Sequence, residues 1–157
     1  HCSVRRQRQM CIRDSVTSIM ALQEAMNEGY DEALLLDDEE NISEGSGENF
    51  FIVKNKILFT PDLDASLDGI TRKSIISLAE ELNIKVEIKK IKLQDVLVAD
   101  ELFFTGTAAE VVPIRSVDKK LISDGERGEI TTILQKNYFD QVRGKRNSFS
   151  EWLYSID

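Results

Sequence analysis

Hydrophobic residues recur at helical spacing in three stretches of the chain. The clearest is residues 71–82, where the apolar positions form one face of a helix. Those positions are Ile75, Leu78, Ala79 and Leu82. The same spacing predicts helices over residues 16–27, with Gly29 as a C-terminal stop, and over residues 130–142.

Short apolar runs bounded by polar clusters predict strands between these helices. The runs cover residues 33–36, 50–53, 57–59, 86–91, 102–105 and 111–114. Of these, 33–36 and 102–105 are predicted to be buried strands. Lys54-Asn55-Lys56 separates two of them and indicates a hairpin, and Pro113 suits an edge strand. The acidic stretch 37–49 (DDEENISEGSGEN) is predicted to be a turn or loop. Because strands and helices alternate, the predicted class is α/β.

Composition narrows the classes of function. A chain of 157 residues that is 41% hydrophobic and 31% charged is typical of one globular domain. A net charge of −8 argues against a general nucleic-acid binder and against binding to an anionic membrane. No apolar run approaches the ~18–20 residues of a membrane span. Residues 16–157 contain no Cys and no credible signal sequence is present, so the predicted location is the cytoplasm.

The first fifteen residues differ from the rest in composition. Residues 1–15 carry a net charge of +3, which leaves −11 for the remaining 142 residues, and they contain His1, Cys2 and Cys11. The string RQRQMCIRDS resembles translated sequencing-adapter sequence, so we predict that residues 1–15 are non-native. A disordered basic arm and a targeting segment are the alternatives. Residues 16–157 contain no other Cys or His, so we predict no zinc site and no thiol or imidazole catalysis there.

Three loop segments carry residues suited to binding chemistry. Glu44-Gly45-Ser46-Gly47-Glu48-Asn49 places an acid beside two glycines, where it could pair with a cationic group such as a protonated ring nitrogen. Gly69-Ile70-Thr71-Arg72 begins the clearest helix, where free N–H groups favour an anion. Thr105-Gly106-Thr107-Ala108-Ala109 follows a buried strand and could hold phosphate or carboxylate. A solvated hairpin loop, a plain helix start and a tight turn are the respective structural alternatives.

In this order and spacing, the segments resemble the class IV, fold-type-IV pyridoxal-phosphate enzymes. The pattern is Glu44, Asn49-Phe50-Phe51, Leu58-Phe59-Thr60 and Leu67-Asp68-Gly69-Ile70-Thr71-Arg72. Within that group, ALLLDDEENISEGSGENFF and ADELFFTGTAAEVVPIRSVD resemble branched-chain amino-acid aminotransferases. D-amino-acid transaminases and aminodeoxychorismate lyases share the fold and are the alternatives. The resemblance covers residues 16–157 and implies a C-terminal domain, with a mixed sheet or pseudo-barrel and flanking helices.

The resemblance also implies roles for individual residues in binding pyridoxal 5′-phosphate. Glu44 is the partner of the pyridine nitrogen, and Leu67 packs on the ring. The remaining implied cofactor-binding residues are Gly69, Ile70, Thr71, Gly106 and Thr107. The N–H groups of Thr107 and Ala108 are the implied binders of the substrate carboxylate. No metal is implied.

The resemblance implies reversible amino transfer between leucine, isoleucine or valine and 2-oxoglutarate, by an enzyme that forms a homo-oligomer when intact. The family's Schiff-base lysine would fall near Met10, and the first lysine of this sequence is Lys54. We therefore predict a truncated fragment that lacks the N-terminal domain and is inactive as written. A non-catalytic remnant that binds pyridoxal phosphate is the alternative. Lys54, Lys56 and Lys73 are predicted to be solvated charges.

Overall fold

The structure is a computed structural model that describes residues 16–153. This range contains four α-helices: α1 (16–27), α2 (Ile70–Glu81), α3 (Leu93–Leu97) and α4 (Glu129–Val142). A 3₁₀ turn follows at Ser150–Trp152. The predictions for residues 1–15 lie outside the described part of the chain. No helix in residues 16–153 combines the length and apolar character needed to cross a membrane.

Nine strands in the described range form three sheets. They are β1 (Leu34–Leu36), β2 (Ile42–Gly45), β3 (Asn49–Lys54), β4 (Ile57–Thr60), β5 (Val86–Ile88), β6 (Glu101–Gly106), β7 (Glu110–Pro113), β8 (Ser116–Val117) and β9 (Lys120–Leu121). The main sheet has the order β5-β4-β3-β6-β7, while β1–β2 and β8–β9 form two-stranded sheets. In the main sheet β4 and β5 are parallel and the other neighbours are antiparallel. The sheet is therefore mixed, as predicted for an α/β domain of this type.

The central strand β3 is buried on both faces, which explains its unbroken apolar sequence. Phe51 and Val53 face α2 and α4, in a cluster that includes Leu78 and Leu134. Phe50 and Ile52 alternate with them and face a second cluster formed around β2, α3 and β6. Phe51 stacks on its cross-strand partner Phe103 with ring centroids 4.9 Å apart.

Two sequence predictions differ from the structure. The acidic stretch 37–49 contains a strand, β2, because it pairs with β1 and places Ile42 in the core. The run 33–36 does form a strand, but it is not buried, since Leu36 is 48% exposed. The prediction of an edge strand at Pro113 is confirmed, because in the main sheet of the described chain β7 pairs with β6 alone.

The register of the main sheet brings three loops to one end. Asn49 at the start of β3 is paired with Thr105 near the end of β6. The β2–β3 turn and the β6–β7 turn therefore lie side by side. β4 runs antiparallel to β3, so its last residue, Thr60, returns to the same end, where its hydroxyl donates to the carbonyl of Phe50 at 2.9 Å. The loop from β4 into α2 begins there.

Candidate functional site

Glu44 and the residues before α2 are joined by a network of hydrogen bonds. The N–H of Leu67 donates to Glu44 Oε2 at 2.8 Å, and Asn49 Nδ2 lies 3.4 Å from the same oxygen. Asn49 Nδ2 also donates to the carbonyl of Leu67 at 2.7 Å. Both polar backbone atoms of Leu67 are thus fixed, while its side chain is 66% exposed. An exposed, positioned leucine beside a carboxylate can pack against a flat ring whose nitrogen faces the acid.

Gly69 approaches this network so closely that no side chain fits. A Cβ atom on Gly69 would lie 2.1 Å from Asn49 Oδ1. Its φ of −69° and ψ of 145° are ordinary extended values, so the need for glycine comes from crowding and not from backbone strain. Asn49 itself is 6% exposed and cannot move into solvent easily. No role was predicted for Asn49 from the sequence, although its position between the glycine turn and a buried strand could have indicated one.

The start of α2 has the properties of an anion site. Gly69 is the N-cap residue and has no side chain to cap the helix, and the first turn contains no acidic residue. The first N–H groups of a helix lack intrahelical acceptors and carry the positive end of the helix dipole. Ile70 is 79% exposed, so this end of the helix is open to a ligand. A phosphate group fits this set of donors.

Arg72 fixes the first turn of α2 against the sheet. It is 3% exposed, and its Nη2 donates to the carbonyl of Pro61 at 3.0 Å. Its Nε donates to the Thr60 hydroxyl at 3.3 Å. Burial lowers the pKa of Arg72, while Asp68 and Asp62 act in the opposite direction. The anchor therefore links the helix start to the end of β4 without presenting the guanidinium to solvent.

The β6–β7 turn lies against the β2–β3 turn. A Cβ atom on Gly106 would lie 3.1 Å from Glu48 Cγ and 3.3 Å from the carbonyl oxygen of Gly47, so glycine permits the close approach. Thr107 and Ala108 follow in the turn and are exposed. The structure thus brings all seven predicted cofactor-binding residues and Ala108 to one end of the sheet.

Two of the first lysines of the sequence, Lys54 and Lys73, form ion pairs with aspartates. Lys54 ends β3, about 17 Å from the site at roughly 3.3 Å per residue. Its ammonium group contacts Asp100 Oδ1 at 2.8 Å. Lys73 contacts Asp68 Oδ2 at 2.6 Å. These contacts agree with the prediction that both are surface charges.

A cavity of about 660 Å³ is distinct from this site. It is lined by α1, by the α1–β1 connection and by residues 112–119. It includes none of the predicted cofactor-binding residues. The candidate site at the end of the sheet is an open surface formed by loops, and the cavity lies outside it.

Comparison with known proteins adds an independent finding. The family model described as "Amino-transferase class IV" matches residues 7–117. A branched-chain-amino-acid aminotransferase from Pseudomonas aeruginosa is 52% identical over 137 residues, which cover 87% of this chain and 45% of that protein. The chain therefore spans about half the length of the curated relatives it matches.

Solved structures agree with the sequence comparison. The T.th. branched-chain amino acid aminotransferase, complexed with N-(5′-phosphopyridoxyl)-L-glutamate, matches with a TM-score of 0.89 and 38% identity. The match covers 91% of this chain and 49% of that one. The Thermoproteus uzoniensis branched-chain aminotransferase with norvaline has a TM-score of 0.86 and 44% identity, over 89% of this chain and 46% of that one.

Proposed function

The chain belongs to the class IV aminotransferases, and from this membership we propose that it carries the cofactor-binding residues of a branched-chain-amino-acid transaminase. The proposed reaction is reversible amino transfer between leucine, isoleucine or valine and 2-oxoglutarate, in the cytoplasm. The proposed cofactor is pyridoxal 5′-phosphate. The single observation that supports this best is the Glu44–Leu67–Asn49 network beside an uncapped helix start.

The residues of the site fit three parts of the cofactor: its phosphate, its ring nitrogen and the face of its ring. The open N-terminus of α2, with Gly69, Ile70 and Thr71, would bind the phosphate. The turn at Gly106 and Thr107 would contribute further donors to it. Glu44 would bind the ring nitrogen and keep it protonated, and Leu67 would pack on the ring. When bound, pyridoxal phosphate supplies an electron-withdrawing ring that stabilises negative charge at the substrate's α-carbon.

The substrate carboxylate is assigned to the exposed turn. The N–H groups of Thr107 and Ala108 would bind it, because two successive backbone donors in a turn form a concavity for an anion. A neutral backbone site places the α-carbon of the substrate over the ring without adding a cation. The family's Schiff-base lysine has no counterpart among the described residues that reach the site, so we propose that the chain as written binds cofactor and does not transaminate.

A conjugate in which cofactor and amino acid are joined by a reduced bond tests this binding, because it binds without forming a Schiff base to a lysine. N-(5′-phosphopyridoxyl)-L-leucine joins cofactor and substrate through a stable amine, and calorimetry can measure its affinity for the 157-residue chain. We expect saturable binding that Glu44→Gln weakens about tenfold, the equivalent of one charge-assisted hydrogen bond of roughly 1.4 kcal/mol. Glu80→Gln, an exposed acid on α2, is the matched control and should bind normally.

Two outcomes would contradict the proposal. The assignment of Glu44 is wrong if Glu44→Gln and Glu80→Gln bind the conjugate equally well. The branched-chain assignment is wrong if the D-leucine conjugate binds more tightly than the L-leucine conjugate, since that preference indicates a D-amino-acid transaminase.

Incubation of the chain with leucine, 2-oxoglutarate and free cofactor should yield no glutamate.

A further inference from the structure

A half-buried pair of carboxylates lies directly beneath the turn assigned to the substrate carboxylate. Glu48 Oε2 is buried and receives no hydrogen bond from an N–H or hydroxyl donor among residues 16–153. Glu32, from the α1–β1 connection, lies close enough to the Glu48 carboxyl group for its charge to act on it. Glu32 Oε1 accepts the N–H groups of Ala33 at 2.8 Å and Ser46 at 3.1 Å. Glu32 is therefore held in place by two backbone donors, whereas the buried Glu48 oxygen receives none from the described residues.

No cation in the described part of the chain neutralises the pair. The ion pairs of residues 16–153 include neither Glu32 nor Glu48. The third acid nearby, Glu44 on β2, directs its carboxylate to Leu67 and Asn49. From β6, Phe104 and Gly106 contact the same turn and bring no ionisable group.

One proton resolves the conflict between the two acids. Two carboxylate oxygens both accept hydrogen bonds, so they attract each other only if one of them is protonated. Burial raises the pKa of Glu48 to about 7, and the charge of Glu32 and a hydrogen bond to it act in the same direction. Below that pH the Glu48 carboxyl group donates to Glu32. Above it the proton goes to solvent, and two negative charges face each other.

The pair is positioned to control both turns. The N–H of Ser46 donates to Glu32 Oε1 at 3.1 Å, and Glu48 lies two residues further along the same turn, so the pair supports the β2–β3 turn. The Cβ position of Gly106 lies 3.1 Å from Glu48 Cγ, so the β6–β7 turn lies on the same side chain. Repulsion between Glu32 and Glu48 is therefore expected to move the Glu48 side chain away from Gly106.

We propose that Glu48 and Glu32 share one proton, that this proton holds the β6–β7 turn in its binding position, and that its loss weakens binding of the substrate carboxylate. Glu48 is then a positioning residue that acts through Gly106 and the turn after it. The carboxylate half of the proposal rests on the proposed function. The shared proton and its effect on the turn do not depend on it.

A ligand-free NMR titration tests the shared proton. The side-chain carboxyl carbon of Glu48, assigned by its absence in Glu48→Gln, should titrate near pH 7 in the 157-residue chain. The amide signals of residues 106–108 should shift with the same midpoint. Glu32→Gln supplies an amide donor in place of a charge, so it should lower the pKa of Glu48. A Glu48 titration at its ordinary value, or amide signals that ignore it, would overturn the proposal.

A pair of probes tests the effect on the carboxylate. N-(5′-phosphopyridoxyl)-L-leucine carries a carboxylate, and pyridoxamine 5′-phosphate does not, so the ratio of their affinities isolates that contact. From about pH 6 to about pH 8 we expect the ratio to fall about tenfold in the wild-type chain, as the linked proton dissociates. In Glu48→Gln the neutral amide still donates to Glu32, so the ratio should stay at its low-pH value.

The outcomes separate the two proposals. An equal fall in the ratio for Glu48→Gln and wild type would refute the role of Glu48, because the titrating group would then lie elsewhere. Failure of both probes to bind at any pH would refute the proposed function, while the NMR titration would still decide whether the proton is shared. Glu80→Gln should behave as wild type in every measurement.

Discussion

Replacing Gly69 by alanine should destabilise the chain, because the added methyl group collides with Asn49. The new Cβ would lie 2.1 Å from Asn49 Oδ1, well inside ordinary van der Waals contact. Asn49 is held by hydrogen bonds to Leu67 and Glu44 and is 6% exposed. Either the amide rotates and loses these bonds, or the start of α2 moves away from the sheet.

The magnitude follows from the two parts of this collision. Two hydrogen bonds at about 1 kcal/mol each, plus roughly 1–2 kcal/mol of overpacking, oppose folding. The backbone at Gly69, with φ of −69°, suits alanine. Because alanine lowers the conformational entropy of the unfolded chain, it also stabilises the folded state by about 0.4–1 kcal/mol. The net expectation is a loss of about 2–3 kcal/mol in the free energy of unfolding, or ~5–10 °C in Tm.

Urea denaturation followed by far-UV circular dichroism measures this loss. Gly47→Ala is the matched control, because no described atom lies within 4 Å of its Cβ position and its φ is outside the left-handed region. That variant should differ from wild type by less than about 0.5 kcal/mol. The reasoning fails if Gly69→Ala is as stable as Gly47→Ala. Gly69→Ala should also weaken binding of the phosphopyridoxyl conjugate, since Gly69 begins the proposed phosphate site.

Two further substitutions test contacts that fix α4 and α2 to the main sheet. Glu101 accepts the first N–H groups of α4, at 2.9 Å from Ile130, so Glu101→Gln should cost about 1–2 kcal/mol. Glu129→Gln, an exposed change in the same turn, should cost less than about 0.5 kcal/mol, and equal losses would contradict the capping role. Arg72→Met removes a buried anchor and should cost about 2–4 kcal/mol in urea denaturation. The exposed neighbouring change Lys73→Met should be nearly neutral, and a stable Arg72→Met variant would show that the anchor is dispensable.

Local periodicity was sufficient for the elements with a strong hydrophobic pattern. The predicted helices 71–82 and 130–142 correspond to α2 and α4, and the predicted strand 102–105 lies within β6. These segments bury one face or both faces in a core, so their sequences must follow the period of the element. Class IV aminotransferase membership was also readable from the motifs, and the comparisons confirmed it.

Weakly patterned segments could not be predicted in this way. β2 contains a single large apolar residue, Ile42, and exists because β1 supplies its hydrogen-bond partners. The β8–β9 hairpin, at Ser116–Val117 and Lys120–Leu121, is mostly exposed and was not predicted from the sequence. Strands of this kind form because neighbouring strands pair with them, so the local sequence pattern does not predict them.

The residues proposed to bind cofactor and substrate were chosen from the order of amino acids alone: they are Glu44, the start of α2 and the turn after β6. Folding decides that these segments meet, because the antiparallel register pairs Asn49 with Thr105 and returns Thr60 to the same end of the sheet. It also decides which side chains support them. Glu32 and Glu48 are 16 positions apart in the sequence. Only the folded chain brings them together, and there burial and the charge of Glu32 raise the pKa of Glu48.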